Sequence, residues 1–155
     1  MAIFKTNPFG HYDFIKKWLI RVAGVMSHRR YRGFNALQIE GSEIIKDLPE
    51  TNVLFVSNHQ TYFADVVAMF HVFNASLSGR VDSIKNVGYL WQPKLNIYYV
   101  AASETMRSGL LPRIMAYAGA VSVSRTWRSK GKEIDRPVNL SDTENIGIAL
   151  HDGWV

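Results

Sequence analysis

Apolar positions recur along the chain with two different periods, and where the period changes the element should change. From about Tyr12 to Ser27, residues Ile15, Trp18, Leu19, Val22 and Met26 fall within one narrow arc when positions are spaced at 100°. Asp13, Lys17, Arg21, Gly24 and His28 fall on the opposite side, so the pattern predicts an amphipathic helix with a basic rear face. "FNALQIEG" (34–41) predicts a short strand ending at Gly41, and "SEIIKDLPE" one or two helical turns halted by Pro49. "NVLFVSN" (52–58) is instead continuously apolar, β-branched and aromatic, which predicts a central parallel strand covered on both faces. A helix over "DVVAMFHVF" (65–73) follows. Strands at "NIYYVAA" (96–102) and "AVSVS" (120–124) flank a helix in "GLLPRIMAYAG", with Pro112 near its first turn and Gly119 as its C-terminal stop. "SDTENIGIALHDG" opens with Ser141 and Glu144 in capping-box spacing and ends at Gly153, predicting a last helix.

Strands alternating with helices argue for an α/β layer, a mostly parallel sheet flanked by helices and preceded by the N-terminal amphipathic helix. With 155 residues and 47% hydrophobic composition, the chain is long enough for one domain with a real core. No internal repeat, low-complexity tract or linker divides it.

Charge changes this picture. Residues 1–32 hold seven basic residues against Asp13 alone, whereas the remainder is close to balance, so the net charge of +5 belongs to one segment. We therefore separate a basic amphipathic docking segment, 1–32, from an α/β domain, 33–155. An apolar stripe carrying Trp18, with the "HRRYR" cluster (28–32) after it, suits an interfacial helix on anionic lipid; a core-packing helix with a solvated back fits the same periodicity. No apolar run approaches the roughly 18 residues needed to span a bilayer, and charges interrupt any signal-peptide core. Without cysteine there is no disulfide, thiolate nucleophile or cysteine zinc site, which suits a reducing compartment. The five histidines form no metal-ligand spacing, so no metal is expected.

The chemistry concentrates in "NHQTYFAD" (58–65), at the carboxyl end of the predicted central strand and on the turn into a helix, the edge where α/β sheets collect ligands and catalytic groups. There His59 has the pKa of a general base, and Asp65 can fix its tautomer if the turn folds it back. Helical geometry alone would not, since six positions rotate a side chain by about 240°. The competing assignment makes Asn58 or Thr61 a helix cap, Asp65 a residue favoured by the helix N-terminus, and His59 an ordinary turn residue.

"VSNHQTYFAD" resembles the first signature of the glycerolipid acyltransferase family, Asn-His-x-x-x-x-Asp after a buried strand. "GAVSVSR" (119–125) is similar to that family's second signature, a glycine, an apolar strand and an arginine six positions after the glycine. The basic, aromatic N-terminal helix also resembles the membrane-docking element ahead of such domains. The resemblance implies that His59 deprotonates an acceptor hydroxyl, which attacks the thioester of acyl-CoA or acyl carrier protein, with Asp65 holding the imidazole. It implies further that Asn58 shapes the turn and that Arg125, after Gly119, binds the acceptor's phosphate; a guanidinium suits that task because it stays charged and engages oxygens bidentately. The acceptor would be lysophosphatidic acid or a related lysophospholipid. The location implied is the cytoplasmic face of a membrane, peripheral or monotopic, with no cofactor beyond the acyl donor.

This sequence departs from that pattern twice. Five residues separate His59 from Asp65 where the family usually has four, and the third signature, a Glu-Gly-Thr-Arg-like loop, is absent. The chain stops at "HDGWV", where a further strand would be expected to start, and so reads as cut short. The alternative function is a non-catalytic membrane-binding domain or an inactive fragment of the enzyme. Nucleic acid is the partner least expected, because no exposed aromatic platform can be identified, although "RTWRSKGKEIDR" (125–136) interleaves a tryptophan with five basic residues. Walker, Gly-x-Ser-x-Gly and Gly-x-Gly-x-x-Gly motifs are missing.

Overall fold

The computed structural model describes residues 5–34, 36–58, 63–106, 109–124, 128–129, 132–133, 137 and 139–155. It is a mixed helical protein with a small parallel sheet, so the α/β class holds at that coarse level. Contacts divide the chain into two units: residues 1–5, 12–49 and 56–95, and residues 6–11, 50–55 and 96–155.

The first unit is built from α1 (Asp13–Arg29), a π-helical turn (Arg30–Phe34), a 3-10 turn (Ser42–Asp47), α2 (Ala64–Leu77) and a second 3-10 turn (Val87–Trp91). Asp13 in the first turn of α1, and His28 and Arg29 in its last, complement the helix dipole. Its buried residues are Lys16, Ile20, Gly24 and His28, one every four positions. Gly24 allows close packing, since a Cβ there would come within 2.5 Å of Leu90 Cδ1. Ile20, Tyr31, Ala75, Ile84, Tyr89 and Leu90 form the core, with Val67, Ala68 and Phe70 of α2 packed against it. The apolar arc read from the sequence is not the core face: Trp18 is 60% exposed, Val22 51% and Met26 77%. The strand expected at 34–41 is also absent from its described residues. Leu37 and Ile39 instead lay an unpaired segment against the core, with the Leu37 N–H donating to the Tyr31 carbonyl.

In the second unit β1 (Tyr99–Ala102) pairs in parallel with β2 (Ala120–Val123), Tyr99 opposite Ala120. Between them run α3 (Ser103–Met106) and α4 (Leu110–Tyr117); β3 (Arg128–Ser129) and β4 (Lys132–Glu133) form a short antiparallel pair, and α5 (Leu140–Asp152) follows. Trp154 bridges in parallel to both Val53 and Ile97. Its N–H donates to Asn96 and its carbonyl accepts from Tyr98, while Phe55 donates to Val155. Gly153 is required at this junction, because a Cβ would stand 1.9 Å from the Asn96 carbonyl oxygen. Tyr98, Val121, Ala149 and Val155 make the core, with Phe9, Ile146 and Leu150 against it.

Two further expectations are corrected. "NVLFVSN" is not a strand covered on both faces: beyond the bridge at Val53 it is irregular, and Leu54 and Val56 are 58% and 88% exposed. It pairs with the segment 153–155: the Asn52 N–H donates to the Gly153 carbonyl, the Val155 N–H to that of Val53 and the Phe55 N–H to that of Val155. The α5 cap is Asn139, whose Oδ1 accepts the Ser141 N–H at 3.1 Å, rather than a Ser141–Glu144 box. The helix therefore begins two residues earlier than the box requires.

Candidate functional site

Of the residues singled out by sequence, Asp65 is the carboxylate with a described setting. It is the second residue of α2 and half-buried, where free N–H groups and the helix dipole favour negative charge. The N-cap position is Phe63 and carries no side-chain capping bond, so Asn58 does not cap α2; Asn58 is exposed at the end of the 53–58 segment. His59 and Thr61 lie outside the described residues.

The first turn of α2 is fastened by a residue the sequence reading passed over. Tyr31, from the basic "HRRYR" stretch, donates its hydroxyl to the Ala64 carbonyl at 2.7 Å, one residue from Asp65. Burial raises the Tyr31 pKa; the Arg30 charge opposes that and the Asp65 carboxylate reinforces it. Asp65 is thus within electrostatic range of a phenol anchored to its own helix turn.

Behind that turn lies a second group the sequence did not single out. His71, on α2 and 1% exposed, receives contacts at both ring nitrogens. Nε2 is 2.9 Å from Ser27 Oγ and Nδ1 is 2.7 Å from the Tyr89 hydroxyl. Ser27 donates its own proton to the Ala23 carbonyl at 2.7 Å, so its oxygen accepts from Nε2–H and Tyr89 donates to Nδ1. His71 is therefore held neutral. Burial pushes its pKa down to about 4, and His28, 5.9 Å away ring to ring, adds to the effect. His28 bonds the Ile84 carbonyl at 2.6 Å, and Arg80 covers the Tyr89 ring at 4.7 Å. Burial raises the Tyr89 pKa to about 12, with Arg80 opposing. The available sequence signal was a histidine inside the apolar run "DVVAMFHVF".

In the second unit Gly119 ends α4 as expected, at φ 122°, a conformation that favours glycine. Its carbonyl accepts the Tyr99 N–H at 3.0 Å, so the residue that stops the helix also starts the ladder. At the other end of β2, Asp142 of α5 accepts the Ser124 N–H at 2.8 Å and fixes where the strand leaves the sheet. Arg125 is the next residue and lies outside the described ones. Tyr98 and Tyr99 are core residues, as is Met106, and the Tyr99 hydroxyl donates to the Met115 carbonyl.

What these parts offer chemically is a carboxylate at a helix N-terminus after the Asn58–His59 pair, and a glycine-led parallel strand leading to an arginine. Among the described residues no group of three or more His, Asp or Glu is placed to hold a metal ion, and no helix is long and apolar enough to cross a membrane. No family model, curated protein or solved structure matches this chain.

Proposed function

We propose that the chain is an O-acyltransferase domain of the glycerolipid acyltransferase type, moving a fatty acyl group from acyl-CoA or acyl carrier protein to a hydroxyl of lysophosphatidic acid or a related lysolipid. The finer fold proposed with it is the mostly parallel, glycerol-3-phosphate acyltransferase-like sheet. The observation that carries the reading is Asp65 in the first turn of α2, six positions after His59, with Gly119 leading a parallel strand toward Arg125. In this reaction His59 takes the proton of the acceptor hydroxyl as its oxygen attacks the thioester carbonyl. The thiol leaves with that proton once the tetrahedral adduct collapses. Asp65 stabilises the imidazolium, Asn58 shapes the turn and Arg125 binds the acceptor's phosphate. The enzyme works peripherally on the cytoplasmic face of a membrane, docked through α1. Phosphatidic acid formed from acyl-CoA and lysophosphatidic acid, detected by mass spectrometry, tests the proposal. His59→Ala is expected to lower turnover by about 10²- to 10⁴-fold, the range for losing a general base. Equal turnover by both proteins removes His59 from the mechanism.

A second reading, a non-catalytic membrane-binding domain, is favoured by the outward apolar stripe of α1. Vesicle binding that disappears on deleting residues 1–32, together with no acyl transfer, would select it.

A further inference from the structure

We propose that the lipid-facing surface of the first unit is built from two elements, the outer stripe of α1 and Trp91 at the end of the turn Val87–Trp91, joined by Arg21 and seated on an anionic bilayer. This rests on the docking role of α1 given above and adds to it an element more than 60 residues away in sequence.

The buried residues of α1, spaced four apart, occupy an arc centred opposite Val22. On the outer arc Phe14 is 47% exposed, Trp18 60%, Val22 51%, Val25 55% and Met26 77%. These five share one arc of the helix, with the Phe14 ring beside that of Tyr12 at 6.1 Å, and together they are more than the scattered exposed apolar residues an ordinary surface carries. Trp91 is 72% exposed. The Arg21 guanidinium lies 4.7 Å from the Trp91 ring centroid and 6.0 Å from that of Trp18, and its Nη2 donates to the Trp91 carbonyl. One cation thus holds two exposed indoles along the rim of the stripe. Indoles suit the headgroup level of a bilayer, where an apolar body and a polar N–H are both satisfied.

Charge selects the occupant. Exposed Arg29, Arg30 and Arg32 follow at the C-terminal end of the stripe, and Asp13 is the sole acid in the first 32 residues. A second copy would bring two such basic segments together, with like charges opposed. Nucleic acid would match the charge and could stack on the indoles, but it would leave Val22, Val25 and Met26 in water. Anionic lipid satisfies both the apolar stripe and the basic end.

The cysteine-free chain permits single labels. An environment-sensitive fluorophore on Met26→Cys reports docking of α1, and one on Gln92→Cys, beside an intact Trp91, reports the second element. With mixed phosphatidylglycerol–phosphatidylcholine vesicles both labels should shift to the blue and be quenched by brominated acyl chains. Trp91→Ala should weaken vesicle partitioning about tenfold, the scale for withdrawing part of an indole from lipid. A response at 26 with none at 92, and unchanged partitioning of Trp91→Ala, overturns the inference while leaving α1 docking in place. No response at either site removes the docking reading itself. Concentration-dependent shielding at 92 without lipid would assign the surface to self-association and also overturn the inference.

Discussion

The two faces of α1 invert the usual rule for amphipathic helices. Its inner face carries a lysine, a histidine, a glycine and one isoleucine, whereas its outer face carries tryptophan, phenylalanine, valines and methionine. The inner face packs because Gly24 admits Leu90 and because His28 and Ser27 find partners on Ile84 and His71. Hydrogen-bond satisfaction and close approach decide which side is buried, and periodicity decides only that two sides exist. The outer face is left with large apolar side chains about half or more open to solvent, touched by Tyr12 at Phe14 and by Arg21 at Trp18.

The largest effect should come from one substitution made on both faces. Ile20→Asp places a carboxylate in the core and is expected to lower unfolding free energy by about 4 kcal/mol. Val22→Asp, two residues away on the outer stripe, should change it by less than about 0.5 kcal/mol. Urea titration monitored by circular dichroism measures both. Equal losses would mean that the outer stripe is packed after all.

Acid should loosen the inner face next. His71 titrates near 6.5 when unfolded but at about 4 when folded, so between those values the unfolded chain binds the extra proton. The stability this group contributes is complete above pH 6.5 and is lost as pH falls toward 4, by about 3 kcal/mol in total. Denaturation midpoints across that window test it, and His71→Phe should flatten the dependence. A smaller loss, about 2 kcal/mol, is expected for Tyr89→Phe, which leaves His71 Nδ1 buried without its donor. Amide exchange along α2 should quicken in that variant and remain unchanged in Trp18→Ser.

Legibility from sequence divides along the same line. The helices at 13–29, 64–77, 110–117 and 140–152 follow from local signals, namely apolar period, Pro112 in a first turn and Gly119 after a last one. The strands at 99–102 and 120–123 were legible as β-branched and aromatic runs. "NVLFVSN" was not, because its composition announces burial on both faces while coverage depends on which neighbours the chain brings beside it. The Asn139 cap is masked in the sequence because Ser141 and Glu144 offer a box two residues later. In the candidate site, Asp65 at a helix N-terminus and Gly119 at a strand entrance could be read from spacing. Tyr31, His71, Tyr89 and Asp142 could not, since each acts through a partner at least 18 residues away.

Acyl transfer to lysophosphatidic acid presented in anionic vesicles, compared among the wild-type chain, Val22→Asp and His59→Ala, tests the central claim most directly. The account predicts product from the wild type, little from Val22→Asp until the acceptor is supplied as detergent-dispersed monomers, and background from His59→Ala in either form. Equal rates from all three proteins would contradict it.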